Sequence, residues 1–586
     1  MKKQKELWQP INLADLFYTS TERFANNEAL KFKVGHHYES LSYYELKKET
    51  IKLALALKKL GFKAGDKAII FSENRPEWVI TDLALISLGA VSVPIHNVLS
   101  PVQLEVIIKE INPKGLFFSD HELSSKLLEI AKTISKIPHL FSFEKIETRG
   151  FERLLYFKNL IDSSLVNEKS EAELIESILK IPSSAVTTII YTSGTTGRFK
   201  GVKLTHQNLI SNALGVLKYV RVVPEDRFFS ILPLSHVFER TIGYYIPLYA
   251  GASIGYATDL SKISQEIRDR KPTIVIAVPR LFEKIYEKIL DKVNKSFFKK
   301  TIFRFAFGLK KDGKHQEFEK IFENLVFSKV RAEFGGQIRF FVSGGAALPV
   351  KLGKFFNQVG LVILEGYGLT ETAPVISCNR LEDYSFGTVG PVLEGVKVKF
   401  SPEGEIITKG PNVTPGYVQS KDTKEAFTKD GWFKTGDYGY FDRKGFLVLT
   451  GRKKDLIVLS TGKKVSPTNI ESQLESSAYI DQAFVFGDAR KHIGAVIVPN
   501  LERVAEKLMI KEAKNLVHNQ KVRDFLSEEI QLLQKNYASY EKIYKFILQA
   551  ELFTIESGEL TPKFGLRRHV IYDRNLEEIE KIYNNY

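Results

Sequence analysis

The sequence predicts a large α/β domain of layered sheets and helices, followed by a smaller α+β domain. Three observations predict it. From Lys67 to Phe341, short β-branched or aromatic runs alternate with runs of helical period. From Gly387 the pattern shortens to strands broken by turn residues, as in VKVKFSPEGEIITKG and WFKTGDYGYFDRKGFLVLTGRKKDLIVL. Beyond about Lys454 a strand-rich segment is joined by two helical ones, including LVHNQKVRDFLSEEIQLLQKN.

The elements follow in order. KAIIFSE predicts a strand leading into the helix EWVITDLALISLGA. VSVPI leads into PVQLEVIIKEI, and GLFFS into HELSSKLLEIAKTI. FFSILP, ASIGYA, TIVIAVP and IRFFVSG each lead into a helical stretch. Strands alternating with helices imply a largely parallel sheet. AVTTIIY predicts a strand and HQNLISNALGVL, from His206, a helix, so YTSGTTGRFKGVKLTH between them predicts a strand–loop–helix turn. The charged run GRKKD separates two apolar strands and places the domain boundary, giving 1–451 and 452–586. There is no fixed-period repeat.

Composition excludes several classes. With 44% apolar and 26% charged residues, disorder does not dominate. A single cysteine, Cys378, excludes a disulfide framework and a cysteine metal cluster, and fits a reducing cytoplasm. MKKQKELWQP is basic but has no apolar core, so it does not read as a signal peptide. No apolar run approaches 18 residues. Membrane contact is therefore expected to be peripheral at most, at the inner face of the membrane. The formal charge of +15 suits polyanions, or reflects a lysine-rich proteome. Nucleic acid is not expected, because the basic residues are dispersed and no recognition motif is present. The segment Asp291 to Lys311, DKVNKSFFKKTIFRFAFGLKK, mixes lysines with phenylalanines. It reads as a basic amphipathic helix for an anionic membrane surface, or as a helix packing its phenylalanines inward.

Chemistry gathers in a few loops. Three glycines, hydroxyls and a lysine in YTSGTTGRFKG offer close backbone approach and N–H groups to a phosphate. The spacing is not G-x-x-x-x-G-K-[ST], so this is not a Walker loop. The small residues of FVSGGAALP let the backbone pass flat against a planar ring. In LEGYGLTET, Tyr367 can stack on a base, Thr370 can bond a phosphate, and Glu371 can hold Mg²⁺ together with phosphate oxygens. Asp437 in WFKTGDYGYFD is expected on a tight turn, accepting both ribose hydroxyls. Arg452, fifteen residues on, is expected as a cationic partner for the same sugar.

Taken together and in order, YTSGTTGRFKG, LPLSHVFER, SGGAALP, EGYGLTET, WFKTGD and GRKKDLI resemble the core motifs of the adenylate-forming superfamily. The resemblance runs from about Leu13 to Val570. It is strongest to the long-chain fatty acid–CoA ligases, through LPLSHVFER, VPRLFEKIYEKI and EGYGLTET. It implies that Thr192, Ser193, Gly194, Thr195, Thr196, Gly197 and Lys200 form the phosphate loop. It implies that Gly344, Gly345, Ala346 and Tyr367 bind adenine. Thr370 then contacts the α-phosphate, Glu371 is linked to Mg²⁺, and Asp437 with Arg452 binds the ribose. His236 would line the acyl end of the site, or else be a packed core histidine. Lys454 would be the hinge between large and small domains, and Gly462 would lie in a loop meeting the thiol acceptor. The implied reaction joins a fatty carboxylate to ATP as acyl-adenylate, releasing pyrophosphate, and then transfers the acyl group to CoA.

One departure stands out. SGELTPKFGLRRHV places Gly565 where the family's catalytic lysine is expected, with Lys563 two residues before and Arg567 two after. Either Lys563 substitutes, or adenylation lacks that charge. Similarly, Phe199 and Lys203 replace the commoner proline and methionine. Alternative expectations are an acyl–acyl carrier protein synthetase, and a catalytically weakened member that binds acyl groups or nucleotides.

Overall fold

Two eight-stranded sheets build the larger part of the computed structural model. It describes residues 7–146, 151, 153–193, 198–258, 262–294, 327–453, 455–510, 516–554, 556–560 and 565–584. One sheet runs in the order Val375–Cys378, Ile363–Gly368, Phe340–Ser343, Ile274–Ala277, Arg227–Ser230, Ser253–Tyr256, Glu28–Val34, His37–Ser42. Its interior pairs are parallel and its two ends antiparallel. The other runs Gly416–Tyr417, Phe199–Thr205, Val186–Ser193, Val91–Ile95, Lys67–Phe71, Gly115–Phe118, His139–Ser142, Leu154–Tyr156. Parallel strands need crossovers, and the helices Pro76–Ser87 and Pro101–Ile111 supply two of them. Proline opens both. The second adds a Ser100–Gln103 capping box and ends on Asn112 in the left-handed region, so its span is set by local chemistry.

A buried arginine ties the π-helical turn Glu239–Tyr245 to one sheet and to the helix Pro76–Ser87. Arg240 donates to Asp82, to Ser92 Oγ at 2.7 Å, to Thr188 Oγ1 at 2.6 Å and to Tyr245 OH at 3.0 Å. Asp82 lies on the helix Pro76–Ser87, and Ser92 and Thr188 lie on adjacent strands. A guanidinium out of water needs this full set of partners.

The structure corrects four sequence expectations. The loop of YTSGTTGRFKG is not strand–loop–helix. Phe199–Thr205 is a strand antiparallel to Val186–Ser193, so the loop tops a hairpin, and the helix starts only at His206. Val202 and Leu204 are buried on that strand, a period of two that the glycine-rich opening obscured. Asp437 lies within the strand Phe433–Phe441, not on a turn. HELSSKLLEIAKTI breaks into His121–Leu128 and Ala131–Ile134. Beyond Lys454 there are five α-helices among the described residues rather than two helical segments.

A four-stranded antiparallel sheet, Lys397–Phe400, Glu405–Lys409, Phe433–Phe441, Leu447–Arg452, follows the large sheets. The C-terminal part has its own core around Ile480–Phe486, Gly494–Pro499 and Phe546–Leu548, packed by Leu474, Val504, Leu526 and Ile530. Among the described residues no helix is long and apolar enough to cross a membrane. The helix Pro279–Asn294 enters the predicted membrane-binding segment, whose remainder, 295–311, lies outside the described residues.

Candidate active site

The site residues gather where parallel strands end at their carboxyl edge. Phe340–Ser343 runs into Gly344–Ala346, and its neighbour Ile363–Gly368 runs into the turn Thr370–Thr372. The crevice outside such strand ends is where open α/β sheets place ligands. Gly345 has φ +83° and is exposed along with Ala346. Gly344 is buried, and a Cβ there would meet the Phe238 ring at 2.8 Å. Only glycine lets this backbone lie so close to the ring.

Asp437 and Arg452 face each other across adjacent strands, with Arg452 Nε 3.0 Å from Asp437 Oδ1. Tyr367 OH donates to Asp437 Oδ2 at 2.7 Å. Burial raises the Asp437 carboxyl above its usual range, against the pull of Arg452 and the Tyr367 hydroxyl. Burial, with Asp437 beside it, also holds the Tyr367 phenol well above its usual range, so it donates. The Tyr367 ring itself is buried among Ile376, Val389, Ile406 and Leu447. It sits beneath the carboxylate, with little of its face exposed.

At the loop expected to hold phosphate, Thr192 and Lys200 are cross-strand partners, as are Ser193 and Phe199. Gly194, Thr195, Thr196 and Gly197 lie outside the described residues. Lys200 Nζ is 3.0 Å from Asp422, and Arg198 reaches the same carboxylate at 3.1 Å. Lys200 also stands 5.4 Å above the Tyr417 ring. Tyr417 OH donates to Glu371 Oε1 at 2.7 Å. The turn bearing Thr370 and Glu371 is clamped from behind. Asn212 and Asn412 both donate to Thr372 O and Val375 O. The donor chemistry fits Mg²⁺ held chiefly by phosphate oxygens: one carboxylate, Glu371, and among the described residues no group of three metal-binding side chains.

A small apolar cavity of about 40 Å³ lies beside this edge. Its walls include Val216, Phe228, Phe238, Ile242, Phe340 and Val342, and it reaches Gly366. His236 sits half-buried in the turn leading to Phe238, whose N–H reaches His236 Nδ1 at 3.4 Å. Asn74 holds the preceding loop, donating to Ser230 Oγ and Leu232 O and accepting from Leu234 N–H at 2.7 Å. Glu365, at the cavity wall, is raised to about 7 by burial.

In the C-terminal part, Gly462 has φ +76° and tips the hairpin of Ile457–Val458 and Lys464–Val465. Lys454 and Lys563 lie outside the described residues. Gly565 directly precedes Leu566, which bridges Leu560 antiparallel. Arg568 is committed elsewhere, paired with Glu471 at 2.5 Å.

Sequence reasoning missed Tyr417, Asp422, Arg198, Asn212, Asn412 and Asn74. No local pattern marks GYVQSKD as belonging to the site. Tyr417 is 46 residues from the carboxylate it bonds, and Asp422 is 224 from Arg198.

Fold and cleft together define the class of two-part adenylate-forming enzymes. The chain belongs to the AMP-binding enzyme family: residues 17–418 match the AMP-binding enzyme domain and 454–586 the AMP-binding enzyme C-terminal domain. A long-chain fatty acid–CoA ligase from Mycobacterium bovis is 35% identical over 555 residues, covering 91% of this chain and 90% of the relative. A chloroplastic long-chain fatty acid–[acyl-carrier-protein] ligase from Arabidopsis thaliana is 28% identical, covering 98% and 87%. The adenylation domain of a carboxylic acid reductase from Segniliparus rugosus, solved with AMP and a co-purified carboxylic acid, has the same fold. Its TM-score is 0.75 at 21% identity, covering 99% of this chain and 95% of the other.

Proposed function

We propose that the chain activates a long-chain fatty acid with ATP and passes the acyl group to CoA, yielding acyl-CoA, AMP and pyrophosphate. The observation that carries the reading is the apolar cavity reaching Gly366, next in the chain to the tyrosine that bonds Asp437. An apolar tail and a nucleotide would meet there. The similar ligase from Mycobacterium supports CoA as acceptor.

In this reading Asp437, fixed by Arg452 and Tyr367, receives the ribose hydroxyls. Gly344, Gly345 and Ala346 give the adenine ring a flat backbone face. The phosphate loop with Lys200, together with Thr370, holds the phosphates, and Glu371 holds Mg²⁺, which when bound draws charge from the phosphate oxygens. The fatty carboxylate needs no base, being ionised at neutral pH. Phe238 and His236 flank the acyl group. The part from about residue 452 then turns about Lys454, so that the Gly462 loop meets the thiol and one cleft serves both steps.

Pyrophosphate release with ATP, Mg²⁺ and fatty acids of graded length tests this. Release that rises with chain length is expected. No release with any fatty acid would overturn it. Parallel assays with CoA and with acyl carrier protein decide the acceptor.

A further inference from the structure

Two groups expected at the triphosphate, the Glu371 carboxylate and the Lys200 ammonium, meet a single side chain. Tyr417 OH donates to Glu371 Oε1 at 2.7 Å, and Lys200 Nζ stands 5.4 Å above the ring of the same tyrosine. We infer that Tyr417 is a positioning residue for the metal–triphosphate end of the site: it orients Glu371 through its hydroxyl and seats Lys200 on its ring. The inference rests on the proposed nucleotide reading of this cleft.

Tyr417 is itself held on three sides. Its strand pairs with the hairpin that carries the phosphate loop, Tyr417 opposite Val202 and Gly416 opposite Lys203. Its N–H donates to Thr423 Oγ1 at 2.9 Å, and Val418 N–H to Gly201 O at 2.8 Å. Gly416, at φ +135°, lets Thr423 approach closer than a Cβ would permit. The Glu371 turn is fixed just as firmly: Thr414 N–H donates to Glu371 O at 2.8 Å, and Asn212 and Asn412 hold Thr372 O. The two segments thus meet through the Thr414–Glu371 backbone bond and Asn412, and the hydroxyl–carboxylate bond joins the Tyr417 and Glu371 side chains.

The bond engages Glu371 Oε1, and Oε2 would be the oxygen offered to a metal. A metal-binding carboxylate gains orientation from such a partner, and losing the partner typically costs about 10–100-fold in metal affinity or activity. The ring contact with Lys200 is a cation–π arrangement, which a phenylalanine would preserve. Tyr417→Phe therefore separates the two contributions.

The test is calorimetry of ATP binding to wild type and Tyr417→Phe, with Mg²⁺ and with EDTA, beside melting curves and the Mg²⁺ dependence of pyrophosphate release. The expected result is about 10–100-fold weaker Mg·ATP binding with unchanged metal-free ATP binding and melting. Half-maximal turnover should need correspondingly more Mg²⁺, with unchanged KM for fatty acid. In a Glu371→Gln background, Tyr417→Phe should add little, because its effect passes through that carboxylate. Equal Mg·ATP binding in wild type and variant overturns the inference. So does an equal loss with and without metal, a full additional loss in the Glu371→Gln background, or a Tyr417→Phe chain that fails to fold. Calorimetry needs no fatty acid. A chain that binds Mg·ATP through Tyr417 yet releases no pyrophosphate fails only the proposed function. A chain that releases pyrophosphate but ignores Tyr417→Phe fails only this inference.

Discussion

Glu239 is fully buried on the π-helical turn Glu239–Tyr245, with the Ser230 hydroxyl beside its carboxylate. Burial raises it from an ordinary 4.5 to about 8. Between those values the folded chain keeps a proton that the unfolded chain has lost, so folding takes up a proton and stability falls as pH rises. The cost is absent below pH 4.5 and complete above about 8. Glu239→Gln should therefore gain on wild type by up to about 1.4 kcal/mol per pH unit between pH 5 and 8. Melting temperatures that run parallel across that window would sink the idea. At the other critical position, Lys563 and Gly565 are two apart, so on an extended segment they face one side. Lys563 is the substitute we expect for the lysine missing at 565. Lys563→Ala should slow adenylation by about 10²–10³, as loss of one preorganised donor does. Gly565→Lys should change it little. An untouched rate in the first and a large gain in the second would reverse the assignment.

At the scale of elements, the helix Pro279–Asn294 opens the segment read as basic and amphipathic. Its Phe282 and Ile289 are buried, so that part of the helix has an inward face. From Asp291 to Lys311 the sequence adds seven cations and five phenylalanines. Each cation near an anionic surface contributes about 1 kcal/mol, lost as salt rises. Sedimentation with anionic vesicles should show binding that falls with salt, and neutral vesicles should show none. Equal binding to both, or to neither, would remove the segment from any membrane role. The phosphate-loop hairpin teaches a different lesson. Val202 and Leu204 alternate inward as any half-buried strand does, yet GRFKG ahead of them hides the alternation, and the strand becomes plain only through its pairing with Val186–Ser193.

For the whole molecule, the stretch around Lys454 is held on both flanks. Before it, Lys453 Nζ lies 2.8 Å from Glu405, and Arg452 is paired with Asp437. After it, Lys351 Nζ donates to Ser476 O at 2.8 Å, joining the helix Val350–Gln358 to the end of Pro467–Glu475. A rotation of the C-terminal part must break the Lys351–Ser476 contact while the Asp437–Arg452 pair can persist. Proline fixes φ near −65° and would remove a degree of freedom where the proposed turn takes place. Lys454→Pro should keep pyrophosphate release and suppress thioester formation from supplied acyl-adenylate by at least about tenfold, a cost near 1.4 kcal/mol. Equal loss of both half-reactions would show that 454 is not the hinge.

The sequence by itself determined the alternation of strands and helices in the large part, because burial on one face imposes a period that any window of the chain carries. It marked Asp437 and Arg452 as two residues of one expected sugar site, but their direct pairing across adjacent strands came only with the sheet. Only the tertiary structure decided which groups hold the reactive ones. Glu371 meets Tyr417, Lys200 meets Asp422, and Asn212 and Asn412 converge on Thr372 O. It also moved Tyr367 from the expected base-stacking surface to a buried place beneath Asp437. Such contacts depend on the order of strands within a sheet and on which loops close over the same edge. Local propensity carries neither, so side chains far apart in sequence become partners only once the sheets are assembled.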